Sequence, residues 1–183
     1  MKFLDITTML DENTPIYEGD PKFSVETFHS IEQDGYTISK LRMGSHAGTH
    51  IDAPSHFVEN GKKICEMSLK ATVGACVVLS RLADYRGQAD KVLLRTGAGR
   101  LDLKQAEMLV DERVTLVGTE NMSIGDDSVH RLLLENGCVI LEKIDLTRVR
   151  DGNYLLSAAP LKIEADGSPV RAFLIEMDEW HEG

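Results

Sequence analysis

Ser45-His46-Ala47-Gly48-Thr49-His50-Ile51-Asp52-Ala53-Pro54-Ser55-His56-Phe57 gathers three of the chain's six histidines and an aspartate into one short run. Positions 46, 50, 52 and 56 share one parity, and in an extended chain side chains of one parity face the same side. The residues between them are mostly small, so the backbone can bend closely around a central ion. Gly48 and Pro54 break a regular strand and curl the segment. Two imidazoles and a carboxylate on one face, His46, His50 and Asp52, suit Zn²⁺ or a similar borderline cation. The bland alternative is a polar loop whose histidines make unrelated hydrogen bonds. A three-ligand site keeps a position for water, as catalysis requires. Structural zinc sites close with four ligands and commonly use thiolates, and no cysteine lies near this run. His56 has two places open to it, as a fourth ligand or as a proton shuttle beside the metal. Pro54, between it and Asp52, marks a change of chain direction and favours the shuttle.

Outward from this run, short segments rich in Val, Ile, Leu, Thr and aromatics read as strands. They are Phe3–Thr7, Phe23–Phe28, Tyr36–Met43, Ala75–Ser80, Lys91–Arg95, Val114–Val117, Val139–Leu141 and Val170–Ile175. Two segments read as helices. Leu101–Val110 has Asp102 in or near its first turn. The other runs from about Asp127 to Asn136, with Asp126 or Asp127 as cap and Gly137 where a left-handed residue is wanted. Strands outnumber helices, and the helices are not regularly interposed. The fold class is therefore α/β, sheet-dominated, with a few covering helices.

At 183 residues the chain is expected to form a single domain, 1–183, with a radius of gyration of about 16 Å. The balance of 20 basic against 30 acidic residues argues against nucleic acid or an anionic membrane as partner, since phosphate binding needs clustered Lys and Arg. No apolar run approaches the 18 or so residues of a membrane span. The opening MKFLDITTMLDEN meets acid too early for a signal peptide. Cys65, Cys76 and Cys138 lack metal-ligand rhythm and read as buried apolar residues in a reducing cytoplasm. The expected partner is a small-molecule substrate. The tail Glu176–Gly183, which carries the only tryptophan, Trp180, reads as exposed and frayed.

A second patch holds His130 in the first turn of the later helix and Glu142 at the end of a short apolar strand. The positive end of the helix dipole disfavours imidazolium, so neutral His130 is available as a ligand. A carboxylate ending a buried strand needs a partner. Taken alone, His130 also reads as a helix-surface residue and Glu142 as a surface acid, and spacing does not join them to the first cluster.

A resemblance does join them. His46 to Phe57 resembles the HxGTHxDxPxHF signature of the cyclase-type metal hydrolases, the family of bacterial kynurenine formamidase (arylformamidase) and isatin hydrolase. The likeness extends through Gly19-Asp20-Pro21, Leu94-Arg95-Thr96-Gly97, Val129-His130, Ile140-Leu141-Glu142, Ala159-Pro160-Leu161 and Asp166-Gly167-Ser168-Pro169-Val170-Arg171-Ala172. It implies a swivelling β/β/α domain assembled as a homodimer or larger homo-oligomer such as a tetramer. It implies two Zn²⁺ per subunit, with Mn²⁺ tolerated by the same ligands. One ion would be held by His46, His50 and Asp52, and the other by His130 and Glu142, with Asp52 bridging. His56 would be the acid/base residue. Two divalent ions, two carboxylates and a bridging hydroxide leave about one positive charge, which favours a developing oxyanion.

The implied reaction is amide hydrolysis, with N-formyl-L-kynurenine as first substrate, yielding L-kynurenine and formate. The alternatives are a cyclic amide such as isatin, or a lactone, at the same site, or a non-catalytic metal-binding protein. Tyr17-Glu18-Gly19-Asp20 replaces the Trp-Pro-Gly-Asp common in formamidases. Tyr17, Phe57 and Phe28 are candidates for an apolar substrate slot, with Tyr17 and Phe57 the leading pair; core packing is the expected role for at least two of the three. Arg95 or Arg171 could hold a substrate carboxylate or form ordinary salt bridges.

Overall fold

In the computed structural model, which describes residues 1–176, the chain forms β1 (Lys2–Asp5), β2 (Ser24–His29), α1 (Ile31–Asp34), β3 (Ile38–Arg42), β4 (His50–Asp52), α2 (Leu69–Thr72), β5 (Val73–Leu79), β6 (Lys91–Leu94), α3 (Leu103–Asp111), β7 (Leu116–Thr119), α4 (Asp127–Glu135), β8 (Val139–Glu142), β9 (Gly152–Ser157), β10 (Gly167–Pro169) and β11 (Phe173–Glu176). Nine strands make one mixed sheet in the order β1-β11-β9-β5-β6-β7-β8-β4-β10. The central β5, β6, β7 and β8 are parallel, and the flanking pairs are antiparallel. The architecture is the sheet-dominated α/β class that the strand count predicts.

Period-two alternation divides the apolar residues between two cores. Cys76, Val78, Leu93, Leu116, Val139 and Leu141 face one side. Val77, Leu79, Val92, Leu94, Val117 and Ile140 face the other, where Leu109 of α3 and Leu133 of α4 meet them. Strands covered on both faces read as near-continuous apolar runs, which is why they are recognisable in the sequence. The later helix starts after Asp126, as its predicted cap requires, whereas α3 starts two residues after the expected Leu101, with Asp102 as its cap and not in its first turn. Asp102 accepts from the Gln105 amide at 2.9 Å, and Asp126 accepts from Ser128 and Val129, each at 3.0 Å. Gly137 follows α4 with φ +77°.

The structure adds three strands that propensity hides. β4 lies inside the run expected to curl, β9 begins at Gly152-Asn153, and β10 contains Gly167 and Pro169. Pro169 is tolerated because β10 is the sheet's last strand. Cys76 and Cys138 are buried as expected and burial pushes both thiols up to about 12, but Cys65 is only partly buried. The tail expected to fray from Glu176 is corrected at that residue, which is partly buried and pairs with Lys2 in the sheet; the expectations beyond it, Trp180 included, lie outside the described residues. Among the described residues no helix is long and apolar enough to cross a membrane.

Candidate metal centre

β4 and β8 pair antiparallel with His50 opposite Glu142 and Asp52 opposite Ile140. Directly opposed residues share a face, as do residues two apart on one strand. Ile51 and Leu141 therefore go to one core, while His50, Asp52 and Glu142 fall on the Ile140 side, the side that α4 covers. There α4 presents His130 along its buried face with Val129, Leu133 and Leu134. The reading of His130 as a helix-surface residue and Glu142 as a surface acid is corrected: both side chains are under a tenth exposed. The site lies at the carboxyl end of parallel strand β8, where open α/β sheets commonly place ligands.

His46 and His56 reach the cluster by other means than strand parity, which holds only across β4. His46 sits in the turn before it, and Gly48, with φ +61°, turns the chain back. A side chain at position 48 would be strained there and would crowd Leu10. His56 ends a 3-10 turn, Pro54–His56, that Pro54 opens. The expected change of direction at Pro54 is present.

Asp52 lies at the centre. Its Oδ1 is 2.8 Å from His46 Nδ1 and 3.2 Å from His50 Nε2, and its Oδ2 is 3.9 Å from His130 Nε2. Glu142 faces His130 Nε2 through Oε1 at 3.2 Å and His50 Nε2 through Oε2 at 3.6 Å. Glu142 Oε1 also accepts the Ile124 amide at 2.8 Å. The rings of His50 and His130 are set by backbone carbonyls: His50 Nδ1 donates to Gly48 and His130 Nδ1 donates to Asp126, each at 2.8 Å. A carbonyl only accepts, so Nδ1 carries the proton and Nε2 is the lone-pair nitrogen when the ring is neutral. Metal-binding histidines have this arrangement, with one nitrogen inward and the other anchored outside.

His50, Asp52 and Glu142 each offer a ligand atom within 4.8 Å of one another, and so do His46, Asp52 and His56. Asp52 belongs to both sets. A donor set of imidazoles and buried carboxylates fits a borderline divalent cation. Burial works against the charge on Asp52, but hydrogen bonds from His46 and His50 outweigh it and hold the carboxyl far below its usual range. Burial would lower the His46 pKa, yet Asp52 and Asp166 raise it to about 9. His130 is likewise raised, by Glu142 against burial. Burial lowers His56, so its neutral form is favoured.

Spacing offers no signal for Asp166, which the structure brings to the site. It touches His46, His56 and Ser45. Beside it a cavity of about 210 Å³ is lined by Ile16, Asp20, Pro21, Ser45, His46 and Asp166. Phe57 stacks on the His130 ring at 4.9 Å and packs against the helix-side core. Tyr17 and Phe28 are exposed, so core packing for two of the three aromatics is corrected to one. Arg95 is engaged by Asp151 and by the carbonyls of Leu146 and Val149, and Arg171 by Asp5.

Gly167 allows His46 its place. A Cβ there would lie 2.7 Å from His46 Cε1 and 2.8 Å from the Ile51 carbonyl oxygen in the paired strand, which cannot yield. Gly167→Ala should cost about 1–3 kcal/mol by overpacking. Thermal unfolding should fall by about 2–4 °C per kcal/mol, and zinc titration should show weakened uptake. A variant with wild-type melting temperature and zinc affinity would refute this packing account.

The sequence matches the model of the family described as "Putative cyclase" over residues 4–90, which includes the histidine run. It is 33% identical to the kynurenine formamidase of Bacillus cereus over 204 residues, covering 94% of this chain and 97% of that protein. The kynurenine formamidase of Bacillus thuringiensis subsp. konkukian matches to the same extent. Among solved structures, one described as a potential metal-dependent hydrolase with cyclase activity superposes with a TM-score of 0.75 at 28% identity, covering 94% of this chain and 96% of that chain. Isatin hydrolase A from Labrenzia aggregata superposes with a TM-score of 0.78 at 22% identity over 94% and 93% of the two chains, a likeness of fold.

Proposed function

This chain belongs to the cyclase family of metal-dependent hydrolases, and from that premise we propose that it is an arylformamidase, hydrolysing N-formyl-L-kynurenine to L-kynurenine and formate. The observation that carries the reading is the convergence of His46, His50 and Asp52 with His130 and Glu142 around two inward-facing Nε2 atoms. In this reading His46, His50, Asp52, His130 and Glu142 are the residues that would hold the metal, as two ions, with Asp52 central to the set. Zn²⁺ suits these ligands and Mn²⁺ is tolerated. When bound, the metal supplies water of lowered pKa and an electrophile for the carbonyl oxygen.

The chain's own groups complete the chemistry. Asp52 and Glu142 balance part of the cationic charge in a water-poor setting. His56, favoured neutral by burial, accepts the proton that water loses as its oxygen bonds to the formyl carbon. It returns that proton to the nitrogen as the C–N bond breaks, so the amine leaves neutral and the added oxygen departs in formic acid, which ionises to formate by giving its proton to solvent. In this reading substrate enters by the cavity beside His46, which Ile16 lines and which Tyr17 follows in sequence.

The assembly we propose is a cytoplasmic homodimer or tetramer. β2 and β3 pair as an arm outside the main sheet, with Val25, Phe28, Ile38 and Leu41 exposed. A two-stranded ribbon is marginal alone in water, and apolar exposure of this kind supports burial against another subunit.

The test measures formate release from N-formylkynurenine and ring opening of isatin, with metal content determined before and after chelation. Turnover of the formyl compound, abolished by the chelator and restored by zinc, is the expected result. Isatin opening without formate release would move the substrate to cyclic amides. Activity surviving in metal-free protein would overturn the mechanism.

A further inference from the structure

We propose that Asp166 is a positioning residue that sets the tautomer of His56 while bracing His46, an inference that rests on the metal-hydrolase reading above. One oxygen of its carboxylate, Oδ2, meets both rings: it is 2.9 Å from His46 Nε2 and 3.2 Å from His56 Nδ1. A carboxylate only accepts, so both nitrogens carry their protons. His56 is thereby held as the Nδ1–H form, and Nε2 is left as its lone-pair nitrogen. No other hydrogen bond to the His56 ring is made among the described residues, so Asp166 is its one polar tether. The two imidazoles lie face to face, with centroids 3.9 Å apart and planes tilted by 30°. Phe57 meets the His56 ring edge-on at 4.6 Å. Packing thus sets the plane of the ring, and Asp166 sets which nitrogen faces which way.

Asp166 is itself held. Its Oδ1 accepts the Ser45 hydroxyl at 2.8 Å, and its backbone carbonyl accepts the Ala53 amide at 2.9 Å. Gly167, the next residue, pairs with Asp52 across the β10–β4 ladder. The carboxylate is therefore tied through the backbone to the strand that carries the central aspartate. Its side chain is 41% exposed, so its worth lies in orientation rather than in ion-pair energy. The tautomer of a histidine is set by the bond its other nitrogen makes, and a free imidazole has no such constraint. An outer carboxylate on His46 belongs to the same class of support, whose removal typically costs about 10–100-fold in metal affinity or activity.

The test compares the zinc-loaded wild type with Asp166→Ala and Asp166→Asn. Long-range ¹H–¹⁵N NMR reads the His56 tautomer without substrate, calorimetry reads zinc affinity, and steady-state assays read kcat and KM. Wild type should show His56 protonated at Nδ1. Asp166→Ala should lose that preference and bind zinc about tenfold more weakly. Its kcat should fall about 10–100-fold with KM little changed. Asparagine keeps one acceptor oxygen for the two rings and should restore the Nδ1–H form and most of kcat. Wild-type His56 protonated at Nε2, or an alanine variant with unchanged tautomer and kcat, would overturn the proposal. Should the alanine variant fail to fold, the wild-type tautomer and the asparagine variant decide. Absence of turnover with a correct tautomer would count against the substrate and not against Asp166.

Discussion

Asp52→Asn is expected to strip the protein of zinc and to lower turnover by about 10³-fold or more, because it removes the carboxylate that both candidate ligand sets share. The amide is nearly isosteric, so the sheet register at β4 and β8 should survive and circular dichroism should match the wild type. The charge is what is lost. His46 owes its raised pKa first to Asp52 acting against burial, and below about pH 9 the metal-free ring holds a proton that an incoming cation must displace. The sign follows: wild-type zinc affinity should fall as pH drops below about 9, and zinc uptake near pH 8 should release a proton. In Asp52→Asn the His46 pKa should fall and that proton release should shrink. Elemental analysis and a pH-indicator titration check both. A variant that keeps two equivalents of zinc and near-normal turnover would remove Asp52 from the centre of the site.

His56→Ala should have a different signature, with kcat falling by about 10²–10⁴ while zinc content and KM hold near wild type. The two roles open to His56 in the sequence separate here. A fourth ligand would take metal with it when removed, whereas a proton shuttle would not. Burial lowers the His56 pKa, and a nearby cation would push it the same way. The neutral base is therefore available at pH 7, and with zinc held saturating the rate should fall as acid protonates it below its ordinary 6.5. In His56→Ala that limb should vanish from the pH–rate profile. Full turnover in the variant with metal bound would end the assignment.

The chain reveals locally whatever near neighbours set. Near-continuous apolar runs marked the central strands because both faces of β5 to β8 are covered. Asp126 marked the start of α4 because capping is satisfied within three residues, while the capping role of Asp102 emerged only in the structure. β9 and β10 were not legible, since Gly152-Asn153 and Gly167 with Pro169 argue against strands, and β4 was hidden because it is three residues long between Gly48 and Pro54; only pairing with neighbours makes them strands. Core packing was expected for at least two of Phe28, Tyr17 and Phe57, and the exposure of Phe28 and Tyr17 depends on where the β2–β3 arm and the Tyr17 segment sit.

The same division runs through the site. The trio His46, His50 and Asp52, with His56 close by, could be read from the sequence because the ligands lie within a few residues and Gly48 and Pro54 supply the bends. His130 and Glu142 were joined to them by family resemblance alone, and Asp166 went unrecognised as a site residue. Their convergence rests on a strand register that sets His50 opposite Glu142, on the face of β8 that α4 covers, and on β10 closing the sheet edge beside β4. Donor types are a property of residues, and residues can be read in order along a chain. Which nitrogens face inward, and which carboxylate steadies them, is settled only when sheet pairing brings segments about a hundred residues apart within hydrogen-bond reach, because those bonds act over about 3 Å and carry no trace in sequence spacing.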